Sequence, residues 1–230
     1  MVEIDVESLT EAYLPILIKL MGLLIIVGSC LNKAPLFRNI VKTKSVAGMS
    51  SSAVYSESIM YANAALYSLR RGNPFTAYGE TLLITLQSII VVILMWRYQS
   101  EPAPIPIRER LLATFLFAAY LTLVFAMPLD QLYLLMSINM PVTIFSRGSQ
   151  IYHYYTCKHT GSQSIITVIM NFTGSAIRVV TTINEIGFDI PMLAGYGISL
   201  MLNSIMITQF ILFKSNTEKH MKQLKDKKKD

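Results

Sequence analysis

Two ionisable residues, Glu57 and Arg178, lie in long segments that carry no other Asp, Glu, Lys or Arg. A charged group in such apolar surroundings is costly and is a functional candidate by default. A carboxylate there can carry a proton or contact a polar substrate, whereas a guanidinium presents a planar set of donors that suits phosphate oxygens. Two alternatives stay open: Glu57 can be a packing residue bonded to a serine or tyrosine, and Arg178 can extend its head group to a membrane surface.

Both residues belong to polar stripes that follow one face of a predicted helix, because alternate steps of three and four residues keep side chains aligned. The first stripe comprises Ser50, Val54, Glu57, Tyr61, Ala64 and Ser68. The second stripe comprises Ser164, Val168, Asn171, Ser175, Arg178 and Thr182. From these stripes we predict that ligand or head-group contacts come from Arg178, Glu57, Asn171, Tyr61 and Ser175.

The composition excludes an ordinary soluble domain, since 53% of the 230 residues are hydrophobic and only 15% are charged. The histidines and cysteines show no metal-ligand spacing, and no nucleophile elbow, phosphate loop or paired-carboxylate motif is present. We therefore expect a protein that is not an enzyme and that uses no cofactor or metal. The net charge of +6 is concentrated in loops and a tail, so we do not expect a nucleic-acid partner.

Long apolar runs predict an all-α membrane protein with seven transmembrane helices, each about 20 residues long. The predicted ranges are 13–34, 47–69, 76–97, 110–127, 131–152, 164–183 and 191–213. Sixteen of the 20 basic residues fall in the loops after helices 1, 3 and 5 or in the C-terminal tail. This asymmetry predicts a cytosolic C-terminus and a lumenal N-terminus.

A shift of 114 residues superimposes two parts of the chain: Lys33 falls on Arg147, and Lys44 falls on Lys158. This repetition predicts two parallel three-helix repeats joined by a linker helix. The expected divisions are a lumenal N-terminus (1–12), a first repeat (13–97), a cytosolic proline-rich loop with the linker helix (98–130), a second repeat (131–213) and a cytosolic basic tail (214–230).

Several stretches resemble the PQ-loop family, and more narrowly its mannose-P-dolichol utilization defect branch. They are "LNKAPLF", "KSVAGMS", "NPFTAYGETLLITLQ", "NMPVTIFSRGSQ", "HTGSQSIITV" and "GSAIRVVTTINEIGFD". The family's Pro-Gln dipeptide is split here, with Pro35-Leu36 in the first copy and Ser149-Gln150 in the second. Gln150 is thus the remnant of the motif, and we predict that Pro35 and Pro141 act as hinges or fixed kinks.

The resemblance implies an endoplasmic reticulum membrane protein needed for the use of dolichol-phosphate-mannose and dolichol-phosphate-glucose. Its expected partners are those lipid-linked monosaccharides, membrane lipids and glycosyltransferases. Lys227 and Lys228, at the fourth and third positions from the end, have the spacing of a dilysine retrieval signal. Two other functions remain open: a PQ-loop transporter of a small sugar or amino acid, and a scaffold for glycosyltransferases.

Overall fold

The computed structural model describes residues 6–31, 33–46, 49–99, 104–160 and 165–219. These residues form eight α-helices and one short 3₁₀ helix, Leu129–Gln131, and none of them forms a strand. The α-helices are α1 (Val6–Cys30), α2 (Ala34–Thr43), α3 (Ser51–Arg70), α4 (Phe75–Tyr98), α5 (Ile107–Ala126), α6 (Tyr133–Cys157), α7 (Ile165–Glu185) and α8 (Ile190–Leu212).

The chain is a multi-pass membrane protein, because five stretches of the described residues are long and apolar enough to cross a bilayer. They are Pro15–Thr43, Phe75–Tyr98, Ile107–Ala126, Ile165–Glu185 and Ile190–Leu212. Large apolar side chains cover the outside of α5, where Leu111, Phe115 and Leu123 are each more than 60% exposed. Such a surface is stable against lipid and unstable in water.

The prediction for the first helix was wrong. We expected a helix over 13–34 followed by a turn, but α1 ends at Cys30 and the chain resumes as α2 at Ala34. Pro35 lies in the first turn of α2, where its missing N–H leaves no helical bond unmade. Two of the basic residues that suggested a loop, Arg38 and Lys42, lie on α2, an amphipathic helix that buries Ile40 to 1% exposure. The other six predicted helices are present, with ends shifted by at most five residues.

The contacts divide the chain into two compact units. The first unit contains Met1–Met136 with Asn184–Ile186, and the second contains Ser137–Ile183 with Gly187–Asp230. The predicted linker helix, α5, groups with the first unit.

In the first unit, α4 packs against both α1 and α3. The α1–α4 contact is close, since a Cβ atom at Gly79 would meet Ile26 Cδ1 at 2.8 Å and one at Gly22 would meet the Thr76 carbonyl oxygen at 3.4 Å. Both helices run in the same direction, because later residues of α1 meet later residues of α4. The first and third helices of this unit are therefore parallel neighbours.

Three polar contacts join α3 to the linker helix α5 in the same unit. Tyr55 Oη donates to Glu109 Oε1 at 3.3 Å, and Tyr120 Oη donates to Asn63 Oδ1 at 2.7 Å. At the far end, Arg70 donates to the backbone carbonyls of the residues where α5 ends. This cation satisfies carbonyl groups that a helix C-terminus leaves without partners. Residues later in α3 contact residues later in α5, so these two helices also run in the same direction.

The second unit has a small core of Tyr154, Val168 and Met206, one residue from each of its three long helices. Gln209 Nε2 donates to the Ile151 carbonyl oxygen at 2.9 Å and joins α8 to α6. The two residues are 58 positions apart, as are Gln87 and Ser29, which form the same kind of bond in the first unit. The α1–α4 pair of the first unit and the α6–α8 pair of the second unit are therefore joined in the same register.

Left-handed backbone conformations occur at four described residues, and they fall into two pairs. Lys44 (φ 50°) and Lys158 (φ 56°) each follow the end of a helix and lie 114 residues apart. Gly72 (φ 72°) and Gly187 (φ 96°) lie 115 residues apart, in the short turns after α3 and α7. These spacings equal the shift found in the sequence to within one residue.

Candidate functional site: a charged pair at a break in the first span

The break between α1 and α2 places a charged residue inside the first span. Lys33 occupies the break, and its Nζ lies 2.8 Å from Glu57 Oε2 on α3. The Lys33 side chain is only 8% exposed, whereas the Glu57 side chain is 43% exposed. The structure therefore pairs the predicted site residue Glu57 with a lysine that we had assigned to a loop.

Gln87 on α4 supports the broken backbone on both sides of the break. Its Oε1 accepts from the Lys33 backbone N–H at 3.0 Å, and its Nε2 donates to the Ser29 carbonyl oxygen at 2.8 Å. Interrupting a membrane helix frees backbone groups that lipid cannot satisfy, so neighbouring side chains must take over. Gln87 thus joins α4 to the first span at the point where the interrupted backbone needs a partner.

The charged pair lies well inside the helical bundle. The ten residues of α2 separate Lys33 from the end of the first span, which is about 15 Å at 1.5 Å per residue. Glu57 is about 9 Å along α3 from its first residue, and Gln87 is about 16 Å from the last residue of α4. For comparison, the hydrocarbon core of a bilayer is about 30 Å thick.

This arrangement offers both a buried cation and an accessible carboxylate. The ammonium group of Lys33 is a compact point charge that suits phosphate. A phosphate that replaced Glu57 as its partner would keep this buried charge paired throughout. The exposed part of Glu57 can accept a proton or a sugar hydroxyl donor. Discontinuous helices near the bilayer midplane provide substrate sites in membrane transporters. Tyr61 lies one helical turn from Glu57 and is half-buried.

The second unit holds the other predicted cation, Arg178, on α7. It is 4% exposed, which excludes the alternative that it extends its head group to a membrane surface. The described members of its stripe also point inward: Val168, Ser175 and Thr182 are buried, and Asn171 is half-buried. The opposite side of α7 exposes apolar residues such as Ile166 and Met170 to more than 60%.

A hydrogen-bonded chain runs from the stripe on α7 to α8. Ser175 Oγ donates to the Asn171 carbonyl oxygen at 2.8 Å and lies 2.9 Å from Ser199 Oγ. Asn203 Nδ2 in turn donates to the Ser199 carbonyl oxygen at 2.8 Å. Asn203 is fully buried, and its Oδ1 has no hydrogen-bond partner in the described part of the chain. In the described part of the second unit, the amide oxygens of Asn203 and Gln209 are thus both buried acceptors without a partner.

The remaining sequence-predicted residues fall into three groups. Pro141 lies inside α6, where it interrupts the helical hydrogen bonds, whereas Pro35 begins a helix and cannot kink one. Gln150, the remnant of the Pro-Gln motif in the second copy, lies within α6. This helix is continuous there, whereas the first span is broken near Pro35. Lys227, Lys228 and Ser164 lie outside the described residues.

Three residues of the first unit were not predicted as site or support residues. Lys33 was missed because its charge suggested a loop, although it lies only two residues after the apolar run that ends at Leu31 and two residues before Pro35. Thr76 and Glu185 form a second polar contact, in which Thr76 Oγ1 donates to Glu185 Oε2 at 2.7 Å. Glu185 ends the block "GSAIRVVTTINE", and that block was the available signal.

Residues 132–188 match the PQ-loop repeat family. The match covers α6, α7 and their connection, and so includes Gln150, Asn171 and Arg178. Together with the apolar helices, it supports a membrane protein of the PQ-loop kind.

Proposed function

We propose that this protein moves the polar head group of dolichol-phosphate-mannose and dolichol-phosphate-glucose through the endoplasmic reticulum membrane, without itself catalysing a reaction. The observation that carries this proposal is the Lys33–Glu57 pair, a buried ammonium beside a half-exposed carboxylate at the break in the first span. The sequence blocks of the dolichol branch and the PQ-loop repeat match point in the same direction.

The energetic reason is the cost of taking a sugar phosphate across hydrocarbon. A charged group at the bilayer centre costs at least about 2.5–3.5 kcal/mol, and the unmade hydrogen bonds of each hydroxyl add to this. Lys33 and Arg178 are cations buried inside the two units, and such groups offset the phosphate charge. The apolar outer surface leaves the long isoprenoid chain in lipid throughout.

The proposed architecture is two parallel three-helix repeats joined by α5, with seven crossings in all. The paired left-handed residues and the common 58-residue register between first and third helices support the repeats. In this scheme α3 and α6 also cross the membrane, and their polar residues face the protein interior rather than lipid.

The proposed orientation has a lumenal N-terminus and a cytosolic C-terminus. Lys33 and Arg147 lie within the first span and α6, so they no longer count as loop residues. Fourteen basic residues, including Arg38 and Lys42 on α2 toward the end of the first span, still fall on the proposed cytosolic side, against Arg70 and Arg71 opposite.

Depleting the protein and profiling lipid-linked oligosaccharides tests the proposal. We expect truncated precursors that accept neither the lumenal mannose nor the lumenal glucose residues, with normal synthesis of the two donor lipids. Re-expressed wild type restores the profile, whereas Glu57→Leu does not and the lipid-facing control Leu123→Ala does. Normal full-length precursors after depletion would refute the proposed function. If a Glu57→Leu with Arg178→Ala double variant rescued fully, the protein would act as a glycosyltransferase scaffold.

A second candidate is a PQ-loop transporter of a small sugar or amino acid. The half-exposed carboxylate of Glu57 favours it, since an accessible acid in a span can couple a solute to a proton. Uptake of labelled solutes into proteoliposomes under a pH gradient tests this candidate. Uptake that Glu57→Gln abolishes, in liposomes that leave the dolichol lipid in place, would favour it over head-group movement.

A further inference from the structure

A second site lies in the first unit, apart from the charged pair. A cavity of about 440 Å³ opens between α3, α4 and α5. Its walls come from the first turns of α3, the last turns of α4 and the beginning of α5, including Ile59, Ile93, Trp96 and Ala113. This volume is within the usual range of ligand pockets, about 300–1,000 Å³.

The cavity wall is hydrocarbon because its few polar groups are already bonded. The hydroxyl groups of Ser58 and Thr114 donate to their own helices, to the carbonyl oxygens of Val54 and Arg110, both at 2.8 Å. None of the described residues that line the cavity carries a charge. A polar solute would therefore lose hydrogen bonds to water and gain none, whereas an aliphatic chain would lose nothing.

The cavity opens toward the region that lipid occupies. Two of its wall residues, Ile93 on α4 and Leu116 on α5, are 53% and 56% exposed, and both helices are candidate spans. The acyl chains of the surrounding bilayer are thus the most abundant apolar molecules with direct access to it.

One end of the cavity has a polar boundary. Trp96 Nε1 donates to Tyr55 Oη at 2.7 Å, and Tyr55 Oη donates to Glu109 Oε1 at 3.3 Å. The amphipathic rings of Trp and Tyr favour the level of the lipid head groups. Arg97, Arg108 and Arg110 flank this boundary at the end of α4 and the beginning of α5. Three arginines against the single carboxylate of Glu109 leave a net positive charge at these helix ends. This charge suits an anionic phosphate head group.

We propose that this cavity holds one acyl chain of an anionic glycerophospholipid, with the lipid head group beside Arg97 and Arg108. The chain fills the space between the linker helix and the first three-helix repeat, and so supports the position of α5. This proposal does not depend on the proposed function, because a resident lipid can bind whether or not the protein moves a dolichol lipid.

The test uses the purified full-length protein in liposomes that contain phosphatidylserine with a photoactivatable acyl chain, followed by mapping of labelled peptides. We expect label on the α4 segment 89–96 and the α5 segment 113–117. Ala113→Trp fills the cavity and should reduce label on the α4 segment several-fold. Leu123→Trp, on the exposed side of the same helix, is the matched control and should leave it unchanged.

A second variant keeps the test decisive if Ala113→Trp does not fold. The Arg97→Gln with Arg108→Gln double variant removes two exposed positive charges that we propose lie beside the lipid head group. It should reduce labelling by phosphatidylserine to the level seen with phosphatidylcholine. Equal labelling of the wild type by the two lipids would overturn the anionic assignment. Labelling of the α4 segment that Ala113→Trp leaves unchanged would overturn the site. Displacement of the label by a polyprenyl phosphate, but not by unlabelled phosphatidylserine, would also overturn it.

Discussion

The two members of the charged pair carry unequal desolvation costs. Lys33 is almost completely buried, whereas nearly half of the Glu57 side chain can contact solvent or a ligand. Removing the partner of a buried charge costs more than removing the partner of an exposed one. Glu57 therefore has two functions at once: it neutralises a buried cation and remains accessible.

This inequality predicts an ordered set of stabilities. Glu57→Leu should lower the free energy of unfolding by about 3 kcal/mol because it leaves the Lys33 ammonium unpaired. Lys33→Met should cost only about 1 kcal/mol, since Glu57 keeps its solvent. The Lys33→Met with Glu57→Leu double variant should recover most of the loss. Thermal unfolding in detergent measures this order, at about 2–4 °C per kcal/mol for a chain of this size. Equal losses for the two single variants would contradict the assignment of Lys33 as the buried member.

At the scale of the element, the break in the first span depends on the side chain of one glutamine. Gln87→Leu removes a partner from the Lys33 N–H and another from the Ser29 carbonyl group. Each unsatisfied buried group costs about 1–3 kcal/mol, so we expect a loss of about 2–4 kcal/mol and faster amide exchange in α1 near the break. Gln209→Leu is the matched control, since it removes the bond from Gln209 Nε2 to the Ile151 carbonyl oxygen, whereas Gln209 Oε1 has no partner in the described part of the chain. Equal destabilisation by the two variants would argue against a special role for Gln87.

The turns after α3 and α7 make a separate prediction about glycine. Gly72→Ala and Gly187→Ala should each destabilise by about 1–2 kcal/mol, because alanine disfavours the left-handed conformation. Gly197 lies inside α8 with nothing within 4 Å of an added Cβ, so Gly197→Ala should stabilise by about 0.5–1 kcal/mol. Chemical unfolding of the three variants measures the difference. A stabilising Gly187→Ala beside a destabilising Gly72→Ala would show that the two turns are not equivalent.

How far the sequence predicts these elements depends on the residue. Apolar runs and the 114-residue shift located six helices well, because burial in lipid demands long apolar segments and leaves little freedom. The break at Lys33 was not predictable in this way, since charge near a proline indicates a loop as readily as a buried ion pair. The Lys33–Glu57 contact joins residues 24 positions apart, one in the break of the first span and the other on α3, and only the packing of α1, α3 and α4 brings them together.

At the scale of the whole molecule, the distribution of basic residues predicts which loops face the lumen. A flexible insert that carries one glycosylation sequon should be modified when placed after Gly72, in the turn between α3 and α4. The same insert placed after Gln99, between α4 and α5, should remain unmodified because the proposed orientation places that loop in the cytosol. A gel shift that glycosidase reverses reports the result. Modification at the second position alone would invert the proposed orientation.

The central claim is that the head group of a lipid-linked sugar phosphate moves past the Lys33–Glu57 pair of the first unit, with Arg178 of the second unit as a further buried cation for the phosphate. The most direct measurement is a head-group flipping assay with purified protein in liposomes and a short-chain dolichol-phosphate-mannose analogue. We predict that the protein moves the head group of the analogue to the opposite leaflet. Glu57→Leu or Arg178→Ala should slow this movement about tenfold, which is equivalent to about 1.4 kcal/mol of barrier. The control Leu123→Ala should flip at the wild-type rate. Flipping no faster than in protein-free liposomes, or equally fast in all variants, would contradict the claim.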